Sequence, residues 1–351
     1  MHFVFTEEQA MIAETVRGFF AENATSERTR KAMATDGIDR TLWTSFCAEL
    51  GLAGIGIAEE LGGAGLGMIE FAIVAEEAGR QVAALPLLSH ARAARAIAAG
   101  GSAEQQAEWL PGMLAGEVIA ACAGSDAVEQ HGTSLSGTFR FVPHGATAAV
   151  FVLGAASGAG LVRADAPGIS VTAHTTMDQT RPYATVTLDG AVAQALPGGS
   201  VALAQARQIG WVCIAAEGLG VAQSALDRTV AYARERVQFG RPIGSFQAYK
   251  HRLADMVVEI EQARSAVYWA ACAVDEGADE ATVALHAAKS FAADTAFMCA
   301  GNMIQLHGGI GFTWEHDAHL FFKRARALQS MLGSGEWHRE QVATMILGEA
   351  A

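Results

Sequence analysis

Along residues 247–276, apolar side chains return at three- and four-residue steps without a break: Leu253, Met256, Val257, Ile260, Ala263, Val267, Ala271 and Val274. Arg252, Asp255, Glu259 and Gln262 fall mostly off that stripe. This is the period of an α-helix with one apolar face. A helix of this length must bury its stripe against other helices, so the chain from Val201 onward reads as a helical bundle. Arg241-Pro242-Ile243-Gly244 is the turn that leads into it.

The start of the chain is helical as well. Thr6-Glu7-Glu8-Gln9 can cap and open a helix, because Thr6 can accept an N–H bond and the acidic pair suits the positive helix end. Helical spacing continues through Ile12, Val16, Phe19 and Phe20, then through Leu42, Phe46 and Leu50, with Gly51 as a stop. After a glycine-rich loop at 61–67, residues 69–79 form a further helix. Between the helical regions the pattern changes. Segments 135–137, 139–142, 148–153, 169–172 and 184–188 are short, β-branched or alternating, and separated by Gly, Pro and Asp. The expected fold is α+β and mostly helical: an N-terminal helical domain (1–114), a small antiparallel β-domain (115–198) and a C-terminal four-helix bundle (199–351).

Apolar residues make up 51% of the chain and charged residues 17%, so part of the apolar surface is expected to lie between subunits. A net charge of -13 would be repelled by a phosphate backbone, which excludes nucleic acid as a partner. A nucleotide remains compatible, because a few arginines and backbone N–H groups can hold it locally. Cys47, Cys122, Cys213, Cys272 and Cys299 are scattered, with no CxxC spacing, and read as small buried apolar residues in a reducing compartment. The first residues carry no basic stretch leading into an apolar core, and the apolar runs are broken by Gly or charge. No signal peptide and no membrane span are expected, and the expected location is cytoplasmic.

Gly63-Ala64-Gly65-Leu66-Gly67 and Gly158-Ala159-Gly160 invite a dinucleotide reading, but neither sits in a strand–glycine–helix context, and both read as loop glycines. Glu315-His316-Asp317-Ala318-His319 has the residue types of a metal site. It lacks further ligands at recognisable spacing and reads as the polar start of a helix, so no metal is expected. Two other segments carry more chemistry. Residues 235–247 include Arg236, Phe239-Gly240 and Gln247, which place a guanidinium and an amide near a helix start. Gln305-Leu306-His307-Gly308-Gly309-Ile310-Gly311 offers glycine backbone that a pyrophosphate can approach closely.

Together and in this order, these segments resemble the acyl-CoA dehydrogenase family over nearly the whole chain. Phe5-Thr6 with Gln9, Trp43, Gly51, Glu59-Glu60-Leu61-Gly62-Gly63-Ala64-Gly65 and Glu76-Glu77-Ala78-Gly79-Arg80 match its N-terminal domain. Arg236-Val237-Gln238-Phe239-Gly240, Gln247 and residues 305–311 match its C-terminal domain. The chain is similar in particular to short bacterial members, some of which pair as two unlike subunits.

The resemblance implies FAD, an acyl-CoA substrate, an electron-transfer flavoprotein and a homo- or hetero-oligomeric assembly, a dimer or tetramer. A Glu carboxylate removes the α-proton of the thioester, and the β-hydrogen leaves as hydride, giving the 2,3-enoyl-CoA. Arg236, Phe239, Gln247, Gln305, Gly308, Gly309 and Ser334 are the implied FAD contacts. The family's base stands at one of two positions, which fall here at Leu332 and Gly210, and neither residue can take a proton. Trp211 replaces an Arg that often follows the second. The flavin-facing strands read Ala120-Ala121-Cys122-Ala123-Gly124-Ser125-Asp126 and Phe141-Val142-Pro143, which departs from the family pattern. In the family dimer the C-terminal contacts reach the neighbour's FAD. Those contacts survive here while the chain's own are eroded, which points to a subunit that completes a partner's FAD site. The rival is an enzyme with a relocated base, for which Glu217, ~10.5 Å along the helix from Gly210, is the candidate; its bland alternative is a buried Glu paired with an Arg. Other readings are a structural scaffold and an oxygen-using flavin monooxygenase.

Overall fold

The computed structural model describes residues 4–124, 128–155 and 158–348, and of Gln130 only the backbone. In chain order the helices and strands begin with α1 (Glu7–Asn23), α2 (Ser26–Met33), α3 (Arg40–Leu50), α4 (Met68–Arg80), α5 (Leu87–Gly100) and α6 (Ala103–Leu114). There follow β1 (Ala120–Gly124), β2 (Glu129–His131), β3 (Ser134–Pro143), β4 (Val150–Ala155), β5 (Gly158–Arg163), β6 (Ile169–His174), β7 (Tyr183–Val192) and β8 (Gln194–Ala195). The rest is α7 (Gly199–Glu235), the short pair β9 (Val237–Gln238) and β10 (Arg241–Pro242), then α8 (Gln247–Asp275), α9 (Ala281–His307), α10 (Ala318–Ser330) and α11 (Gly335–Leu347).

Two compact units emerge: Arg28–Gly67 with Ala84–Gly210, and Met1–Glu27 with Met68–Ala83 and Trp211–Ala351. In the first, two four-stranded sheets face each other. One has the order β1-β4-β5-β8, with β1 and β4 parallel, and the other the order β2-β3-β7-β6, antiparallel throughout. Alternate side chains of the first sheet divide between two cores, as the two-residue period of a strand requires. Ala121, Phe151, Leu153 and Val162 meet Leu135, Phe139, Val186 and Leu188 of the second sheet. Ala120, Cys122, Val150, Val152 and Leu161 pack instead with Ala93, Ile97, Trp109, Leu110 and Met113 of α5 and α6.

The parallel β1–β4 pair departs from an all-antiparallel arrangement, and Gly158-Ala159-Gly160 opens a strand rather than a loop. Small residues suit that strand because β8 lies close: a Cβ added at Gly160 would stand 3.4 Å from the Gln194 carbonyl oxygen. The other glycine run is a loop packed on backbone, since a Cβ at Gly63 would fall 2.2 Å from the Ile57 carbonyl oxygen.

In the second unit the Thr6–Gln9 capping box opens α1 as its sequence dictates. On α8, Met256, Ile260, Ala263, Val267 and Ala271 are buried as the stripe predicts. Val257 is 45% exposed, because it sits a full helical step off the line through Met256 and Ile260. Helices α4 and α7 pack backbone against backbone. A Cβ at Gly79 would lie 2.2 Å from the Glu217 carbonyl oxygen, and one at Gly220 would lie 1.9 Å from that of Glu76. Arg264 and Tyr268 of α8 both reach the Glu76 carboxylate, each at 2.7 Å, and so tie α4 to the bundle. The most apolar window of α7, of mean hydropathy 1.4, is 94% buried inside the protein, which accounts for its composition. His316 and Asp317 form the polar start of α10, where Asp317 reaches Ser26 and Arg228.

Candidate functional site

The resemblance places a carboxylate at two positions, Gly210 and Leu332, and the residue that follows the first is bonded to the second. Trp211, next to Gly210 on α7, donates its indole N–H to the Leu332 carbonyl at 3.0 Å. Leu332 has φ of +51°, the left-handed region that a branched side chain adopts only when its surroundings impose it. Those surroundings are visible. His338 Nε2 lies 3.1 Å from the same carbonyl, and Lys289 donates to the carbonyls of Gln329 (3.0 Å) and Gly333. Ser290 donates to the Gly335 carbonyl at 3.1 Å. Because a carbonyl can only accept, His338 carries its hydrogen on Nε2. Its Nδ1 is then an acceptor, and His286 Nδ1, 2.7 Å away, must be the donor. Trp211 covers both rings, at 4.6 Å from His286 and 5.5 Å from His338. The locus is a clamp of donors on backbone carbonyls, without an acid on Leu332 or Gly210.

This hydrogen-bond chain requires a neutral His338, whose Nδ1 must accept. Burial pushes His338 down to about 3, with Lys289 and His286 acting in the same direction, and burial lowers His286 too. Burial likewise brings Lys289 down to about 8. The unfolded chain takes up a proton on His338 near its ordinary value of 6.5 while the folded chain does not, so stability falls as pH drops from 6.5 toward 3. Compared with the wild type, His338→Leu should flatten the dependence of unfolding free energy on pH by about 1.4 kcal/mol per unit between pH 6 and 4. Denaturant titrations across that range test this, and equal slopes would remove His338 from the linkage.

Glu217 lies elsewhere. It is 4% exposed on α7, and its carboxylate is ion-paired with the guanidinium of Arg324 on α10, itself 1% exposed. The opposite charge that a buried carboxylate needs is already in place.

The third locus is a cleft of about 670 Å³, walled by the end of α7, the β9–β10 hairpin, the start of α8 and the end of α9. Arg236, Gln305, Gly308 and Gly309 all line it, as do Gln238, Tyr249 and Arg252, which sequence reasoning missed. A Cβ added at Gly308 or Gly309 meets nothing within 4 Å, so their backbone lies open, and Gly308 has φ of +62°. No carboxylate is among the residues lining the cleft, while two guanidinium groups are. That donor set suits a pyrophosphate. Tyr232 stacks on His307 at 4.5 Å, and the Tyr249 hydroxyl donates to the Leu306 carbonyl at 3.0 Å, which fixes the wall. Phe239 is outside the lining and 92% exposed at the tip of the hairpin, with φ of +54° beside Gly240 at +77°. Both residues are left-handed, as a two-residue hairpin turn requires. Gln247 is exposed at the first position of α8, and Ser334 caps α11 by accepting from the Trp337 N–H. In the strands that the resemblance places at the flavin, Phe141 is 68% exposed, and Ser125 and Asp126 lie outside the described residues.

The comparisons with known proteins agree on one family. Residues 6–117 match the model of the acyl-CoA dehydrogenase N-terminal domain, and residues 198–347 match that of the C-terminal domain. The chain belongs to the acyl-CoA dehydrogenase family. Family membership makes it an oxidoreductase-type chain of acyl-CoA chemistry with a flavin as cofactor. It is 38% identical over 329 residues to the acyl-CoA dehydrogenase IpdE2 of Mycobacterium tuberculosis, covering 93% of this chain and 94% of that one. The Mycolicibacterium smegmatis protein of the same name is 34% identical over 332 residues, covering 93% and 95%. Among solved structures, the ChsE4-ChsE5 complex from Mycobacterium tuberculosis matches with a TM-score of 0.92 at 30% identity over the full length of both chains. A variant of the Tcur3481-Tcur3483 steroid ACAD matches with a TM-score of 0.90 at 34% identity, covering 97% of this chain and 98% of that one.

Proposed function

We propose that this chain is the FAD-completing half of an acyl-CoA dehydrogenase built from two unlike chains. The assembly oxidises an acyl-CoA thioester to the 2,3-enoyl-CoA and passes electrons to an electron-transfer flavoprotein. The observation that carries this reading is the Trp211–Leu332 hydrogen bond, which ties the residue after Gly210 to Leu332, while neither Gly210 nor Leu332 offers a carboxylate. The intact cleft supports the other half of it. Arg236 and Arg252 supply positive charge, and Gly308 and Gly309 supply open backbone for a pyrophosphate. Phe239 and Gln247 stand exposed beside it, where they can meet a ligand held mainly by a neighbour. When bound, the flavin supplies an acceptor for hydride. What this chain's residues contribute is binding and orientation of the nucleotide's ADP part. Two of the similar solved structures carry paired names, ChsE4-ChsE5 and Tcur3481-Tcur3483, which favours an unlike partner here.

The test is flavin absorbance and native mass of the protein purified alone, and again with a second acyl-CoA dehydrogenase-like chain co-expressed. A colourless lone chain that yields a yellow assembly with the partner is the expected result. A lone chain that holds one FAD and reduces a dye with an acyl-CoA would overturn the reading. Within the assembly, Arg236→Ala should lower FAD affinity by about tenfold or more, since a charge-assisted contact to phosphate is lost. Unchanged flavin occupancy on dilution and gel filtration would take Arg236 out of the site.

A further inference from the structure

His307 ends α9 and lines the cleft, yet half of its imidazole has no use within the chain. Nδ1 stands 2.7 Å from the Met303 carbonyl oxygen, one turn back on the same helix, so that nitrogen carries the hydrogen. In a neutral ring Nε2 is then a bare acceptor, and among the described residues it has no hydrogen-bond partner. Burial lowers the imidazole below its ordinary value, with His316 acting the same way against the Met303 bond, so the ring is neutral at pH 7. At 2% exposure the residue has little water to bind instead.

The ring is also held in place. Tyr232 stacks on it with the planes 23° apart, and the His316 ring, fixed by the Ala318 N–H at 3.1 Å, lies 4.4 Å away. With Nδ1 turned back to α9, the edge that His307 has left for the cleft is Nε2, beside the open backbone of Gly308 and Gly309. Arg236 and Arg252 can only donate, so they answer phosphate oxygens. His307 answers the opposite kind of group, an N–H or an O–H.

We infer that His307 sets the selectivity of the cleft: its Nε2 accepts a hydrogen from the adenosine part of a bound nucleotide, the adenine amine or a ribose hydroxyl, and a nucleotide lacking that donor is disfavoured. The inference rests on the nucleotide reading above and supplies recognition beyond the phosphates. A site built around a hydrogen bond rejects the analogue without the donor, because the bare acceptor then stays unpaired.

The probes are ADP, the part of the cofactor assigned to this cleft, and three analogues: IDP, in which a carbonyl replaces the adenine amine, and the 2′-deoxy and 3′-deoxy forms of ADP. Each is titrated into the full-length chain by calorimetry at one ionic strength. The wild type should bind one of the analogues about threefold to tenfold more weakly than ADP, as the loss of one neutral hydrogen bond requires. Which analogue suffers names the donor, amine or hydroxyl. His307→Phe keeps an aromatic ring beside Tyr232 but offers no acceptor, so it should lose the same factor for ADP and treat all the nucleotides alike. His307→Gln returns an acceptor near the place of Nε2 and should recover the preference.

Equal binding of every nucleotide by the wild type, or full ADP affinity in His307→Phe, overturns the role of His307 and leaves the cleft a nucleotide site. No binding of ADP at millimolar concentration overturns it as well. If His307→Phe does not fold, the analogues in the wild type decide alone. None of these measurements uses flavin colour or turnover. A yellow and active lone chain would therefore refute the two-chain reading and leave the role of His307 standing.

Discussion

Gly220→Ala is expected to cost about 3 kcal/mol or more and to leave little folded protein. The sign opposes ordinary helix propensity, since replacing glycine by alanine inside a helix stabilises by about 1 kcal/mol where space allows. At Gly220 there is no space. The added Cβ would stand 1.9 Å from the Glu76 carbonyl oxygen and 2.9 Å from the Arg80 nitrogen, and both are backbone atoms of α4 that cannot rotate away. Either α4 and α7 separate, which opens the core around Val74, Ala75 and Leu219, or the helix distorts. Gly18→Ala is the control, because it too lies inside a helix and its added Cβ meets nothing within 4 Å. Denaturant midpoints measured side by side should move in opposite directions. A Gly220→Ala protein as stable as the wild type would mean that α4 and α7 are not in backbone contact.

The second large effect concerns the Glu217–Arg324 pair. Arg324→Met leaves a buried carboxylate without its guanidinium and should cost about 3–5 kcal/mol, with Glu217→Gln costing a comparable amount by stranding the cation. The double variant should cost less than the sum of the two, because each single change strands the other's charge. The same variants separate two roles for Glu217. If it is a packing residue, the Glu217→Gln assembly that survives purification keeps its turnover within a few-fold while its unfolding midpoint falls. If it is the relocated base, turnover is lost by orders of magnitude in a protein of near-normal stability. The ion pair with Arg324 favours the first outcome.

Much of the architecture could be read before any coordinates. The Thr6–Gln9 box, the Gly51 stop with φ of +65°, the α8 stripe and the strands of the β-region are local patterns, and each is found where its pattern falls. Gly158-Ala159-Gly160 misled because small residues signal both loops and closely packed strands. Only the neighbour at β8 distinguishes the two. In the cleft, Arg236, Gln305, Gly308 and Gly309 were legible as a motif. Arg252 and Tyr249 were not, because on α8 they look like ordinary surface positions of an amphipathic helix.

The sequence alone therefore determined the helical and strand periods, the caps and the absence of an acid at 210 and 332, since each of these is a property of neighbouring residues. It could not determine partners. Glu217 meets Arg324 across 107 residues of chain, and Trp211 meets Leu332 across 121. Which buried charge is neutralised, and which carbonyl a tryptophan closes, depends on how distant helices pack, and side-chain periodicity carries no record of that. Only the tertiary structure made Glu217 half of an ion pair with Arg324 and closed the Trp211 indole onto the Leu332 carbonyl.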